Sequence, residues 1–138
     1  MTITIALTED IATCRKLRRV VFIDEQGVSE ADELDEFDPE CLHLLAMDGD
    51  QPVGTARIKV EGDTAKIGRV CVLREFRGTG LGAALIRKAL EVAQGHASRA
   101  KLGSQVHAIG FYEALGFEAI GPVYDDAGID HRDMVRAL

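Results

Sequence analysis

The segment Arg77-Gly78-Thr79-Gly80-Leu81-Gly82 sets three glycines in six residues between two strongly patterned stretches, and this constrains the fold more than any other feature. Before it, Ala65 to Leu73 carries Ile67, Val70 and Val72 in a pattern that predicts a strand. After it, Arg87, Lys88, Glu91 and Gln94 share one helical stripe, while Leu81, Leu85, Ile86, Ala89, Val92 and Ala93 cover a broad opposite arc. Strand, glycine turn and heavily packing helix, in that order, require a sheet with a helix laid on it. The turn also has a chemistry. First-turn N–H groups lack intrahelical partners, the dipole makes that end electropositive, and glycines remove the Cβ atoms that would hold an anion away. Arg77 adds a charge that does not titrate.

From the residues alone the segment is a bare tight turn, a dinucleotide-binding turn or a site for another polyanion. Gly78, Gly80 and Ala83 fit the dinucleotide spacing, but that fold needs an acid on the next strand, and no Asp or Glu lies between Lys101 and Tyr112. A Walker loop is excluded because Gly-Lys-Ser/Thr does not occur.

The rest of the chain predicts a strand over Thr2 to Leu7, then a helix capped by Thr8. In that helix Ile11, Cys14, Leu17, Val20 and Val21 face inward, and Arg15, Lys16, Arg18 and Arg19 face outward. An acidic segment with a short irregular helix follows Gln26-Gly27. Strands are expected over Cys41 to Met47 and Pro52 to Glu61, joined by Asp48-Gly49-Asp50, with Gly62-Asp63 leading into the strand at Ala65. Beyond the long helix come a strand at Lys101 to Val106, a helix at His107 to Leu115 closed by Gly116, and strands at Phe117 to Ile120 and His131 to Arg136. The order predicts one mixed α/β domain over residues 1–138, a twisted sheet of about six or seven strands with helices on both faces.

Charge and cysteine content exclude several classes. Asp24 to Glu40 contains nine acids and no Lys or Arg, so the net charge of −7 belongs to that stretch. General nucleic-acid binding needs a basic footprint instead. No apolar run reaches the roughly 18–20 residues of a membrane span, and the amino-terminal stretch has no signal-peptide pattern. Cys14, Cys41 and Cys71 are far apart within apolar patterns, as expected of reduced thiols in a cytoplasmic protein. The four histidines lack ligand spacing, so no metal site is expected.

The stretch from Ile67 through Gly82, with Arg77-Gly78-Thr79-Gly80-Leu81-Gly82 at its end, resembles the acetyl-CoA signature of GNAT N-acetyltransferases. Phe111-Tyr112-Glu113-Ala114-Leu115-Gly116-Phe117 resembles that family's second signature, in family order. Val21 to Val28 and Gly128-Ile129-Asp130-His131 resemble the ElaA-like bacterial subgroup. The resemblance implies a mostly antiparallel sheet with a central splay, and transfer of acetyl from acetyl-CoA to an amine in a ternary complex, without an acyl-enzyme. It implies that Val70, Cys71 and Val72 hold the pantetheine arm and polarise the thioester carbonyl. Arg77, Gly78, Thr79, Gly80, Leu81 and Gly82 would take the pyrophosphate, and Tyr112 would protonate the departing thiolate. It leaves the oligomeric state open, a homodimer included.

One position departs from the pattern. Many members carry a glutamate base on the central strand, and the matching places hold Lys66 and Gly68. Glu25, Glu33, Asp35, His43, His107 and His131 are the replacements on offer, and a non-catalytic acyl-CoA-binding module is the alternative function. Cys71 is expected to be a strand-core thiol and not an acyl carrier. The acidic segment is either a solvated surface or an acceptor wall that attracts a cationic amine.

Overall fold

The computed structural model describes residues 2–138. Its strands are β1 (Ile3–Thr8), β2 (Leu42–Asp48), β3 (Gln51–Glu61), β4 (Thr64–Val72), β5 (Arg99–Gln105), β6 (Glu118–Asp126) and β7 (Ile129–Ala137). They form one sheet in the order β1-β2-β3-β4-β5-β7-β6, antiparallel except where β4 meets β5. The helices are α1 (Ile11–Arg18), α2 (Glu30–Glu33), α3 (Leu81–Ala93) and α4 (Ile109–Glu113). Seven strands in a mostly antiparallel mixed α/β fold match the expected architecture.

The core follows from strand alternation. Leu44, Ala46, Ala56 and Ile58 turn to one face, where Leu81, Leu85, Ile86, Ala89, Leu90 and Ala93 of α3 bury against them. Leu45 and Cys71 turn to the other, where Leu17 and Val21 cover them. Gly54 permits the closeness of α3, since a Cβ there would lie 3.0 Å from both Leu85 Cδ1 and the Cys71 carbonyl.

Several local expectations are corrected. The cap of α1 is Asp10, whose carboxylate accepts from the Thr13 N–H at 3.1 Å, while Thr8 Oγ1 accepts from the Asp10 N–H. After Arg18 the chain widens into a π-helical stretch, Arg19–Glu25. The wider turn changes the helical phase, so Val20 is 40% exposed instead of buried. Arg18, expected outside, is fully buried for reasons given below. Strand β6 runs well past Ile120 because a bulge at Gly121-Pro122 absorbs the two turn-forming residues and pairing resumes at Tyr124. A two-residue turn, Ala127-Gly128, with both residues at positive φ, then sets Tyr124 opposite His131.

Candidate active site

The glycine segment adopts the backbone its composition calls for. Gly78 and Gly80 sit at φ 75° and 86°, a region where L side chains are strained, and a Cβ on either would project into open space. Gly80 is the N-cap of α3 and supplies no side-chain acceptor, so the first-turn N–H groups have no capping side chain. Leu81 anchors the turn in the core, and Thr79 Oγ1 donates to the Phe76 carbonyl at 2.6 Å. The Arg77 side chain turns back along β4. Its Nε donates to the Val72 carbonyl at 3.0 Å and its Nη2 pairs with Glu25 at 2.9 Å.

Toward the same carboxy-terminal end of β4 the sheet opens. Pairing with β5 runs only from Thr64↔Arg99 to Lys66↔Lys101, although both strands continue. On its opposite edge β4 has a bulge: Arg57 pairs with Gly68 and Thr55 with Cys71, so Arg69 and Val70 together face Ala56. Arg69 stands at φ 51°, a strained angle for a non-glycine residue, held by bonds from its Nη2 to the Glu33 carbonyl and the Asp35 carboxylate.

The splay leads into a cleft of about 400 Å³. Val70, Leu102 and Tyr112 line it; Phe22 comes from the π-helical stretch and Gln26 from the turn that ends it, and Tyr124 and His131 from the β6–β7 hairpin. Gln105 Nε2 donates to Gln26 Oε1 at 3.2 Å, joining the two walls. The side chains of Phe22, Gln26 and Gln105 were not anticipated as site residues. A π-helical wall and a strand divergence leave no local periodicity to detect.

The two aromatics of the second signature are set differently. Phe111 is 42% exposed and lies beside the loop, with its ring 3.7 Å from where a Gly82 Cβ would be. Tyr112 packs against the core, edge-on to Phe111 and Phe117. The reason is local: a 3-10 turn over Val106–Ala108 precedes α4 and resets its phase. Burial raises the Tyr112 phenol above its ordinary value, so it remains protonated at neutral pH.

The acidic segment is largely neutralised from within. Arg18 bonds the Glu33 carboxylate and pairs with Asp38 at 2.8 Å; Arg57 spans Asp35 at 2.9 Å and Asp38 at 3.0 Å; Arg15 reaches Asp38 at 2.9 Å. Burial alone would raise the Asp38 carboxyl, but hydrogen bonds from Arg18, Arg15 and Arg57 outweigh it and hold the group well below the carboxylate range. Neutralising Glu33 and Asp35 would thus disturb internal ion pairs before it altered any approaching ligand. On the cleft itself Asp32 and Asp126 are the exposed carboxylates, one from each wall.

Of the other candidate bases, Glu25 is tied to Arg77. His43 is buried with Nε2 on the Asp38 carbonyl, and His107, itself outside the cleft, bonds the cleft residue Gln105. His131 lines the cleft. Lys66 pairs with Glu61 at 3.0 Å. Cys71 is buried under Leu17 and Val21, and burial pushes its thiol up to about 12, which removes it as a nucleophile at neutral pH. Among the described residues there is no cluster of three metal-ligating side chains, and no helix is long and apolar enough to cross a membrane.

A strand that splays from its neighbour and then runs into a glycine turn opening a helix defines an acyl-CoA transferase architecture, and the chain belongs to the GNAT acetyltransferase family, whose domain matches residues 19–138. Its relatives include YyaT of Bacillus subtilis, 40% identical over 133 residues covering 94% of this chain and 90% of that one. ElaA of Escherichia coli is 35% identical over 129 residues, covering 89% and 84%. The ElaA crystal structure superposes with a TM-score of 0.82, covering 98% and 99% of the two chains at 29% identity. An acyl-CoA N-acyltransferase from Pseudomonas aeruginosa superposes at 0.87, covering 99% of each at 29% identity.

Proposed function

We propose that this protein transfers the acetyl group of acetyl-CoA directly to an amine held in the cleft, within a ternary complex. The observation that carries the reading is the β4–β5 splay: it opens the centre of the sheet onto a cleft while the glycine turn stands at the end of the same β4. The pyrophosphate is taken by the N–H groups at the start of α3, where Gly78 and Gly80 leave room, and Arg77 exchanges Glu25 for phosphate. The thioester lies along the bulged part of β4 at Val70 to Val72, and Tyr112 donates a proton to the leaving sulfur. The acceptor enters between Asp32 and Asp126, which favour a cationic amine through charge.

Acetyl-CoA is incubated with a panel of polyamines, amino acids, aminoglycosides, arylalkylamines and a lysine peptide, following thiol release and acetylated product by mass spectrometry. Transfer to a cationic member, slowed by added salt, is the expected result. CoA binding without transfer to any member replaces this reading with an acyl-CoA-binding module, a reading favoured by the lack of a carboxylate at Lys66 and Gly68.

The loop assignment makes its own prediction. In Gly80→Val a β-branched side chain occupies a left-handed position and projects into the open space above the helix start. CoA affinity should fall by about tenfold or more in titration calorimetry, ~1.4 kcal/mol. The strained angle should also lower stability by ~1–2 kcal/mol. An unchanged affinity would put the phosphates elsewhere.

A further inference from the structure

Acetylation of an amine requires a group that removes a proton from the attacking nitrogen, and the central strand has none at Lys66 or Gly68. We propose that His131 is the general base of the reaction, accepting the amine proton on Nε2. The inference rests on the amine-acetylation reading above.

Three features of the structure converge on this side chain. His131 is half-buried in the wall of the splay cleft, opposite Gln105 of β5 and Tyr124 of β6 in strand register. Its Nδ1 lies 2.8 Å from the Ile129 carbonyl, which can only accept. Nδ1 therefore carries the hydrogen, and in the neutral ring Nε2 keeps its lone pair. The ring is also held in place: it stacks on Tyr124 with centroids 6.0 Å apart and planes 25° from parallel, and Tyr124 is itself fixed by a 2.8 Å bond to Asp133. An oriented imidazole with one nitrogen committed to the backbone and the other without a partner among the described residues is the arrangement general-base catalysis needs.

The remaining groups on the cleft serve less well. Glu33 is bonded to Arg18, and Asp35, which lies outside the cleft, is bonded to Arg57, so each would surrender a guanidinium partner to gain a proton. The titratable and charged groups facing the same cleft as His131 are Tyr124 and Asp126 from β6, Arg69 from β4, Asp32 and Glu33 from α2, and Tyr112 from α4. Tyr112 and Tyr124 both have phenols raised by burial, so neither ionises in the neutral range.

The step balances. The amine nitrogen forms a bond to the acetyl carbon as its proton passes to Nε2; the C–S bond breaks, its electron pair goes to sulfur, and Tyr112 supplies the proton that makes CoA thiol. His131 then releases its proton to solvent and Tyr112 recovers one.

The test is the pH dependence of kcat/KM with whichever panel amine is acetylated fastest. A base must be unprotonated to act, so the parent profile should carry an acid limb beyond the one set by the amine itself. His131→Asn keeps an amide N–H the same number of bonds from Cβ as Nδ1, and so keeps the Ile129 contact while removing Nε2. It should lose ~10²–10⁴-fold in kcat/KM. Its remaining rate should follow only the amine's own deprotonation, with CoA affinity and Tm unchanged. His96→Asn, exposed and outside the cleft, should retain the parental profile.

A His131→Asn enzyme with the parental rate and acid limb overturns the role of His131 alone. A parent that acetylates no amine overturns the function and the base together. As a measurement that needs no variant, ¹⁵N spectra of the labelled full chain should show the neutral His131 ring with Nδ1 protonated and Nε2 bare; the opposite tautomer overturns the proposal.

Discussion

In Tyr112→Phe, kcat should fall by ~10²–10⁴-fold while CoA affinity and Tm stay near the parental values. A thiol with an ordinary pKa near 8.5 is a moderate leaving group, and a proton delivered as the C–S bond breaks keeps charge from accumulating on sulfur. The structure sharpens the expectation on the stability side. Desolvation by burial is the cause of the raised Tyr112 phenol, and among the described residues its hydroxyl has no hydrogen-bond partner that the substitution would remove. Tyr124 provides the contrast. Its hydroxyl bonds Asp133, and Tyr124→Phe should cost about 1 kcal/mol of stability, a loss that also loosens the ring on which His131 stacks. A Tyr112→Phe enzyme with full kcat would remove the phenol from the chemistry.

The largest expected effect on stability comes from Arg18→Met. Both Arg18 and Glu33 are buried, and Arg18 is the guanidinium bonded to the Glu33 carboxylate; the other nearby one, Arg69, has its Nε 3.9 Å away. Asp38 keeps Arg15 and Arg57. Removal of Arg18 therefore strands a carboxylate in the interior, at a cost of about 3–5 kcal/mol by urea unfolding at pH 7. The double variant Arg18→Met with Glu33→Leu should recover most of it, because an apolar pair of similar volume is often as stable as the ion pair.

The pH response has a definite sign. In the parent, the depressed Asp38 contributes stability that is present above the ordinary carboxylate value and is lost as pH falls through its low folded value. In Arg18→Met the stranded Glu33 prefers its proton, so part of the defect should diminish on acidification. A loss below about 0.5 kcal/mol at pH 7 would mean that the cluster carries little of the folding energy.

What was legible in the residues and what was not divide along the range of the interactions. Gly78 and Gly80 could be read because a left-handed backbone is a local demand that glycine meets best. The α3 arc and the hairpins around Asp48-Gly49-Asp50 and Gly62-Asp63 are similarly local. Arg18 was misread because helical phase puts a charged residue outside unless partners are known, and its partners Glu33 and Asp38 lie 15 and 20 residues away. The same distance hid the fate of the acidic segment, on which Arg15, Arg18, Arg57 and Arg69 converge from elsewhere in the chain. The outward setting of Phe111 and the inward packing of Tyr112 were not legible because α4 has only five residues, too few for a periodicity to declare its inner face. The Arg69 bulge and the end of β4–β5 pairing are properties of two strands at once, and no single stretch encodes them.

The short β4–β5 contact also bears on how the molecule comes apart. Three residue pairs join two ladders that are each continuous, β1 to β4 and β5 to β6, and each ladder has its own helical cover: α3 packs on the first four strands, α4 on β5 and β6. Such a boundary between ladders is where a protein opens sub-globally, as a cooperative unit below the free energy of full unfolding. Amides of β5, β6 and β7 should therefore exchange with solvent through a cheaper opening than those of β2 and β3. A ligand lodged between the ladders binds only while they are together, so it should slow exchange in the carboxy-terminal unit by a factor that grows with its concentration over Kd.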